Sequence, residues 1–342
     1  MKSLTRIILL MLLAASIVHA DDITKVGTTS AKFLAIGAGA RAVSMGGAFV
    51  ATANDATALY WNPSGITELG RPELIVNQSR WLADINFTYL GVVLPLANAG
   101  AVGLSVTAMT MDEMKVTKYG VTGDYTGETF KVGSYALGVS YARRLTNNFA
   151  IGGTAKLINE VIEQASATGL AVDVGTLFQT PFWGVRMGVS MSNFGSKMKM
   201  SGDNLLIRAD VAPNQAGNNG NINAILDTDA FDLPLLMRIG LAKDFIDTDQ
   251  IRLTIEVDGV HPNDNSEYIN TGFELAMNLL GGTASLRGGL KSLYMANSEE
   301  EFTVGGGVAF PVGGISNLGL DYAYESWRHL GLVQKFSLQL GF

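Results

Sequence analysis

The sequence predicts an all-β fold, a transmembrane β-barrel of fourteen antiparallel strands, from three observations. Only 16% of the residues are charged although the mean hydropathy is positive, and an ordinary soluble domain carries about 25%. Beyond Val18 no apolar run reaches the ~20 residues a membrane helix needs. The remaining chain alternates apolar and polar residues with a period of two, and only helices and closed barrels satisfy their backbone groups in lipid.

The N-terminus reads as an export signal. Lys2 and Arg6 precede an apolar run from Ile7 to Val18, and Ala20 stands before Asp21. A charged start, a short apolar core and a small residue at the cut predict a cleaved signal peptide over residues 1–20. Cysteine is absent and the net charge is −7. Disulfide and thiolate chemistry are thereby excluded, and an acidic chain argues against a nucleic-acid partner.

Residues 33–66, FLAIGAGARAVSMGGAFVATANDATALYWNPSGI, pose a separate question. Gly37, Gly39 and Ala42 fit a dinucleotide fingerprint, with Asp55 as the ribose acid. The helix such a site requires would carry Gly46 and Gly47 at its centre, each costing ~1 kcal/mol relative to Ala. No full helix and second strand separate the glycines from Asp55, and no βαβ pattern follows, so the nucleotide reading fails.

The strands are predicted near 73–82, 84–95, 100–110, 130–143, 149–160, 168–179, 184–193, 234–243, 250–259, 267–278, 283–292, 301–310, 317–327 and 331–342. An even count is what single-chain bacterial barrels require. With the C-terminus in the periplasm, the connections at 95–99, 144–148, 180–183, 244–249, 279–282 and 311–316 are the inner turns and are short. Those at 111–129, 161–167, 194–233, 260–266 and 293–300 face outward and are longer or more polar. Trp81, Trp183 and Trp327 fall near strand ends, where interfacial aromatics belong. The forty glycines suit wall curvature and close backbone approach, as at Gly305, Gly306 and Gly307.

Alternation assigns Arg186, Arg238, Arg252, Glu256, Asp258, Glu274, Arg287, Lys291, Asp321, Glu325 and Lys335 to the lumen. Mixed signs predict ion pairing between strands rather than an ion-selective filter. On the last strand Phe336, Leu338, Leu340 and Phe342 alternate to the final residue. That pattern is similar to the terminal assembly signal of bacterial outer-membrane barrels and implies the barrel-assembly machinery as a partner.

The stretch from Gly39 to Ile66 resembles the N-terminal signature of the PorV/PorQ family of outer-membrane proteins, related to FadL-type fatty acid transporters. The matching positions are Gly39, Arg41, Met45, Gly46, Gly47, Asn54, Asp55, Asn62, Pro63 and Gly65. A second stretch, DGVHPNDNSEYINTGFEL from Asp258 to Leu275, resembles the family's His-Pro hairpin. The resemblance implies a barrel over residues 73–342 with an N-terminal hatch, residues 21–72, folded into the lumen. Pro63 is expected to stop a short helix beginning near Asn54. Ser64 departs from the Ala usual in FadL-type hatches.

An enzyme is not expected. Only His261 and His329 survive cleavage, with no catalytic order and no metal-ligand spacing. Asp227, Asp229 and Asp232, like Asn263, Asp264 and Asn265, lack the EF-hand spacing and read as solvated loops. No cofactor and no metal are expected. The location implied is the outer membrane of a diderm bacterium, with its lipid as the surrounding partner. Two functions remain. The PorV resemblance implies handling of secreted protein cargo at the cell surface in type IX-like secretion. The FadL relationship implies passive transport of fatty acids or another hydrophobic small molecule. The outer segment 194–233, with Leu205, Leu206 and Ile207, suits a cargo-docking loop or a lid.

Overall fold

Period-two alternation becomes a single ring of strands. A computed structural model of the chain describes residues 25–117, 127–215, 217, 221–279, 281–313 and 316–342. The expected signal peptide, 1–20, lies outside the described residues, as do residues 21–24 of the expected hatch. The barrel strands are β1 (Glu73–Arg80), β2 (Asn86–Pro95), β3 (Ala101–Thr110), β4 (Val132–Thr146), β5 (Phe149–Ile162), β6 (Ala165–Gln179) and β7 (Arg186–Gly195). They continue as β8 (Leu236–Asp247), β9 (Ile251–Pro262), β10 (Tyr268–Leu279), β11 (Gly282–Leu293), β12 (Glu300–Val312), β13 (Ser316–Trp327) and β14 (Gly331–Gly341). Each pairs antiparallel with its neighbours in sequence, and β14 closes on β1 with Phe336 opposite Gln78. Closure removes the two open edges that a membrane does not tolerate.

The two faces separate as the alternation requires. Leu104, Leu157, Leu170, Leu241, Leu286 and Phe336 project outward and are exposed, whereas the intervening Ser105, Lys156, Asp173, Arg287 and Lys335 are buried inside. The connection expected over 161–167 is tighter than the sequence implies. Val161 and Ile162 still pair with Ser166 and Ala165, and only Glu163 and Gln164 turn, Glu163 at φ 54°. Two of the three tryptophans also depart from the interfacial expectation. Trp81 and Trp327 meet edge to face, centroids 5.2 Å apart, and lie under Lys335 and Lys291. The lumen lysines draw the two rings away from the lipid boundary. Trp183 stays exposed in the turn between β6 and β7.

The N-terminal segment runs through the ring. At the long-loop rim Thr29 bridges to Asp232, and the Ser30 amide donates to the Asp232 carbonyl at 2.9 Å. The chain then makes a 3-10 turn (Lys32–Ala35), a five-residue helix α1 (Ala40–Ser44), a single-turn helix α2 (Ala58–Trp61) and a second 3-10 turn (Pro63–Glu68). It emerges at the short-turn rim, where the Phe342 amide donates to the Pro72 carbonyl at 2.9 Å. Ala38, Ala40, Ala42, Ala48, Ala56 and Ala58 are fully buried, so small side chains allow the backbone to fit a crowded lumen. Gly46 and Gly47, at φ 70° and 72°, end α1 after one and a half turns. This is their task in place of phosphate binding. The expected helix start near Asn54 moves to Ala58, because Asp55 accepts hydrogen bonds from the Thr57 amide (2.8 Å) and hydroxyl and holds the preceding turn.

Candidate functional site

Three polar knots tie the N-terminal segment to the wall. Nearest the short-turn rim, Arg41 grips Glu274 with two parallel hydrogen bonds, Nε to Oε2 at 2.8 Å and Nη2 to Oε1 at 2.9 Å. Its Nη1 donates to Asp55 Oδ2 at 3.0 Å and to Asn54 Oδ1 at 2.6 Å. Arg287 joins the same Glu274 at 2.7 Å and reaches Asp321 at 2.6 Å, and Arg252 adds a contact at 3.2 Å. The planar fork of arginine fits this bidentate geometry, which an ammonium cannot reproduce.

In the second knot no carboxylate forms an ion pair among the described residues. Asp258 Oδ2 accepts from the amides of Phe49 (3.0 Å) and Val50 (3.2 Å), and Glu256 accepts from the Ala51 amide (2.6 Å) and the Thr52 hydroxyl. Glu73 accepts from the Ala56 amide at 2.6 Å. The carboxylates thus satisfy amides that neither helix nor sheet uses, a requirement for any buried backbone.

The third knot lies toward the long loops. Lys291 bridges Glu300 (2.6 Å) and Glu325 (2.5 Å), while Lys335 donates to the Gly37 carbonyl at 2.9 Å. Arg238 donates to Ser192 at 3.2 Å and lies over the rings of Trp61 and Tyr60. Arg186 pairs with Asp244 at 3.0 Å beside the short-turn rim. The charges assigned to the lumen by alternation are therefore inside and largely matched with one another or with the segment. Sequence reading missed Lys156, which pairs with Asp173 at 2.5 Å and donates to Asn193 at 2.9 Å. Asp173 is the one charged residue of β6 and Lys156 shares β5 with Glu160; the period-two phase of the two strands was the signal that placed Lys156 and Asp173 inward.

Asn62 pins the segment a fourth time, donating to the carbonyls of Val50 (2.8 Å) and Thr176 (3.0 Å). The departure at Ser64 has a use, since its hydroxyl donates to Asn62 Oδ1 at 2.7 Å and fixes that amide. Wall glycines provide the seats. A Cβ on Gly272 would fall 2.0 Å from the Met45 carbonyl oxygen, and one on Gly175 would fall 2.0 Å from Asn62 Oδ1. Pro63 lies against Gly152, and Gly65 against the Ala53 carbonyl. One cavity, beside Leu34, Leu59, Tyr60 and Tyr89, measures about 10 Å³, room for roughly one water. Larger polar spaces of about 80 Å³ beside Asn54 and Phe149 and about 200 Å³ around Arg41 and Arg252 lie toward the short-turn rim.

Above the lumen, Phe33 and Leu34 pack with Met198 and Leu233 of the long outer loop. Beyond that seal, Met198–Lys199 pairs with Ala230–Phe231, and Leu206–Ala209 pairs with Ile222–Ile225 as a separate two-stranded hairpin. Leu206, Ile207, Val211, Ile222, Ile225, Leu226 and Phe231 are exposed on and beside it. On β14, Phe336 and Leu338 face lipid, Leu340 is partly covered, and Phe342 ends the chain exposed.

His261, at the end of β9 rather than in the outer turn expected for it, and His329, in the turn between β13 and β14, sit apart. His261 Nδ1 lies 2.9 Å from Glu267, and His329 Nδ1 lies 3.0 Å from Glu299. Glu267 is held below the usual carboxylate range by its own backbone amide and then by His261; Glu299 is held there by the His329 amide and then its ring. Among the described residues no three His, Asp or Glu side chains are placed to hold a metal. Asp227 and Asp232 pair with Lys199 and Lys197, and Asp264 with Lys32.

Comparison with known proteins agrees with this geometry. No curated protein sequence matches the chain. Among solved structures, the toluene transporter TodX of Pseudomonas putida superposes with a TM-score of 0.56 at 11% identity, covering 89% of this chain and 96% of that one. The toluene transporter TbuX of Ralstonia pickettii gives 0.54 at 12% identity, with 89% and 97% covered. A FadL homologue of Pseudomonas aeruginosa gives 0.52 at 11% identity, with 87% and 96% covered. At such identities the likeness is one of fold. The family model described as type IX secretion system protein PorV matches residues 19–260, most of the chain, and this outer-membrane barrel therefore belongs to the PorV family.

Proposed function

We propose that the protein handles secreted protein cargo at the cell surface, in a type IX-like secretion process, and that its lumen is scaffold. The observation that carries this reading is the outer hairpin, which holds Leu206, Ile207, Ile222 and Ile225 exposed beyond the barrel. Contiguous exposed apolar surface of this kind marks protein-interaction sites. Transport of a hydrophobic small molecule, the activity for which the solved toluene transporters are named, is the second reading. The shared fold favours it, whereas the spaces between segment and wall count against it: about 10 Å³ beside Tyr60, about 80 Å³ beside Asn54 and Phe149, and about 200 Å³ among the charged side chains around Arg41 and Arg252, where ligand sites typically measure about 300–1,000 Å³.

In this reading residues 1–20 are a cleaved signal peptide and 21–72 form a hatch that stays seated. The terminal strand, through Phe336, Leu338, Leu340 and Phe342, is the signal read by the barrel-assembly machinery. No reaction is catalysed. Replacing residues 204–226 by a short Gly-Ser linker tests the proposal. The barrel should still migrate differently with and without boiling, while exported proteins sharing a common C-terminal domain co-purify at least ~10-fold less, a loss of about 1.4 kcal/mol or more. Unchanged cargo recovery would refute the docking role.

A further inference from the structure

The lipid-facing wall is not uniform. Across the closing seam, five strands bring Gln78, Phe336, Tyr322, Gly306 and Leu286 into one row, and Val76, Leu338, Leu320, Val308 and Ala284 into the next. A trough of about 740 Å³ runs along these rows, crossing β1, β14, β13, β12 and β11. Four strand steps of roughly 4.8 Å make it about 19 Å long. Its floor is bare because Gly306 carries no side chain and Ala284, opposite Val308 in the adjoining row, carries a small one. A Cβ at Gly306 would meet only the Ser285 carbonyl oxygen, at 3.1 Å. At Gly288 and Gly133 the gap is filled from within the chain, whereas Gly153 and Gly259 are open like Gly306 but lie outside the trough. The Phe273 ring lies 2.8 Å from the Cβ position of Gly288, and Tyr135 covers Gly133 in the same way.

One end of the trough is polar. Gln78 projects outward, exposed, two residues before the end of β1, and its carboxamide has no hydrogen-bond partner among the described residues. An unpaired amide in an apolar medium costs roughly 2–7 kcal/mol, so this group calls for an acceptor that the membrane itself supplies. Tyr322 and Phe336, with centroids 5.2 Å apart, form the aromatic wall beside it.

We infer that this trough is a specific lipid site, in which one acyl chain lies over Gly306 while Gln78 donates to the ester or amide carbonyl that links the chain to its headgroup. The occupant follows from position: the trough is open along its length and continuous with the apolar belt that already meets acyl chains. The apolar chain explains the floor and walls, and the carbonyl explains Gln78. The site is separate from the outer hairpin and does not depend on the cargo reading.

Delipidated protein in maltoside micelles, titrated with dipalmitoylphosphatidylethanolamine and read by native mass spectrometry, tests the site. Wild type should hold one lipid through a desolvation energy that strips the rest. Gly306→Trp, which fills the floor, should reduce that occupancy at least tenfold, and Gln78→Leu about threefold. Ala284→Phe narrows the trough from the neighbouring strand and serves where Gly306→Trp does not assemble. Leu157→Trp, on a distant part of the belt, should leave occupancy unchanged. Lipid extracted from native membranes then separates phospholipid from outer-leaflet glycolipid by mass. Equal retention by wild type and Gly306→Trp, or no retained lipid in wild type, would overturn the proposal. So would loss of a bound protein, and not of lipid, on Gly306→Trp.

Discussion

Arg41→Leu is expected to lower the unfolding free energy of the barrel by about 3–5 kcal/mol, the cost of removing one partner from a buried ion pair. Arg41 is the point where the N-terminal segment meets the wall charges, bonded to Glu274 twice and to Asp55 and Asn54 once each. Without it Asp55 loses its only ion-pair partner among the described residues, while Arg287 and Arg252 still hold Glu274. Arg41→Lys should recover part of the loss, because it restores the charge but not the fork. The urea midpoint of the detergent-purified barrel measures this. A leucine variant within about 0.5 kcal/mol of wild type, the range of neutral surface changes, would show that the knot does not hold the segment.

Gly272→Leu is the second large effect, and it acts by shape alone. The new Cβ would fall 2.0 Å from the Met45 carbonyl oxygen and 2.8 Å from the Met45 Cβ. The obstacle is backbone, so no rotamer change relieves it, and either the wall or the segment must move. The segment should be displaced. Because the chain contains no cysteine, a single Ala42→Cys reporter reads the displacement cleanly. Ala42 is fully buried, so a maleimide should react slowly in the reporter alone and at least tenfold faster with Gly272→Leu added, a shift of about 1.4 kcal/mol in the opening equilibrium. Gly259→Leu is the control, since its nearest neighbour lies at 4.0 Å, and it should leave the rate unchanged.

The wall was legible in the sequence because the membrane imposes one rule on every strand: apolar outward, polar inward, no open edge. Alternation alone therefore placed Arg287, Glu274 and Asp321 in the lumen. It did not say that Arg287 bridges the other two, because that depends on which strands the closed ring makes neighbours. Glycine positions were legible as glycine, but their use was not. Gly272 and Gly175 look like any wall glycine until the segment is seen to press against them. The tryptophans show the same limit. Strand ends favour aromatics at the lipid boundary, yet a buried Lys335 or Lys291 competes for the ring face, and a cation-π contact across strands leaves no trace in local sequence. Helix α2 begins later than expected because the Asp55–Thr57 hydrogen bonds form a turn first.

Site-specific photocrosslinking in the native host tests the central claim, that this barrel works from its outer hairpin with its lumen filled. A benzophenone side chain would replace Ile225, which is exposed on the hairpin, or Leu59, which is buried between segment and wall. The predicted result is exported-protein adducts from position 225 and none from position 59. A photoactivatable fatty acid, added to the wild-type barrel, should label only its lipid-facing wall. Absence of protein adducts at 225, together with fatty-acid labelling of Leu59 and Tyr60, would contradict the account and make the lumen the working part of the molecule.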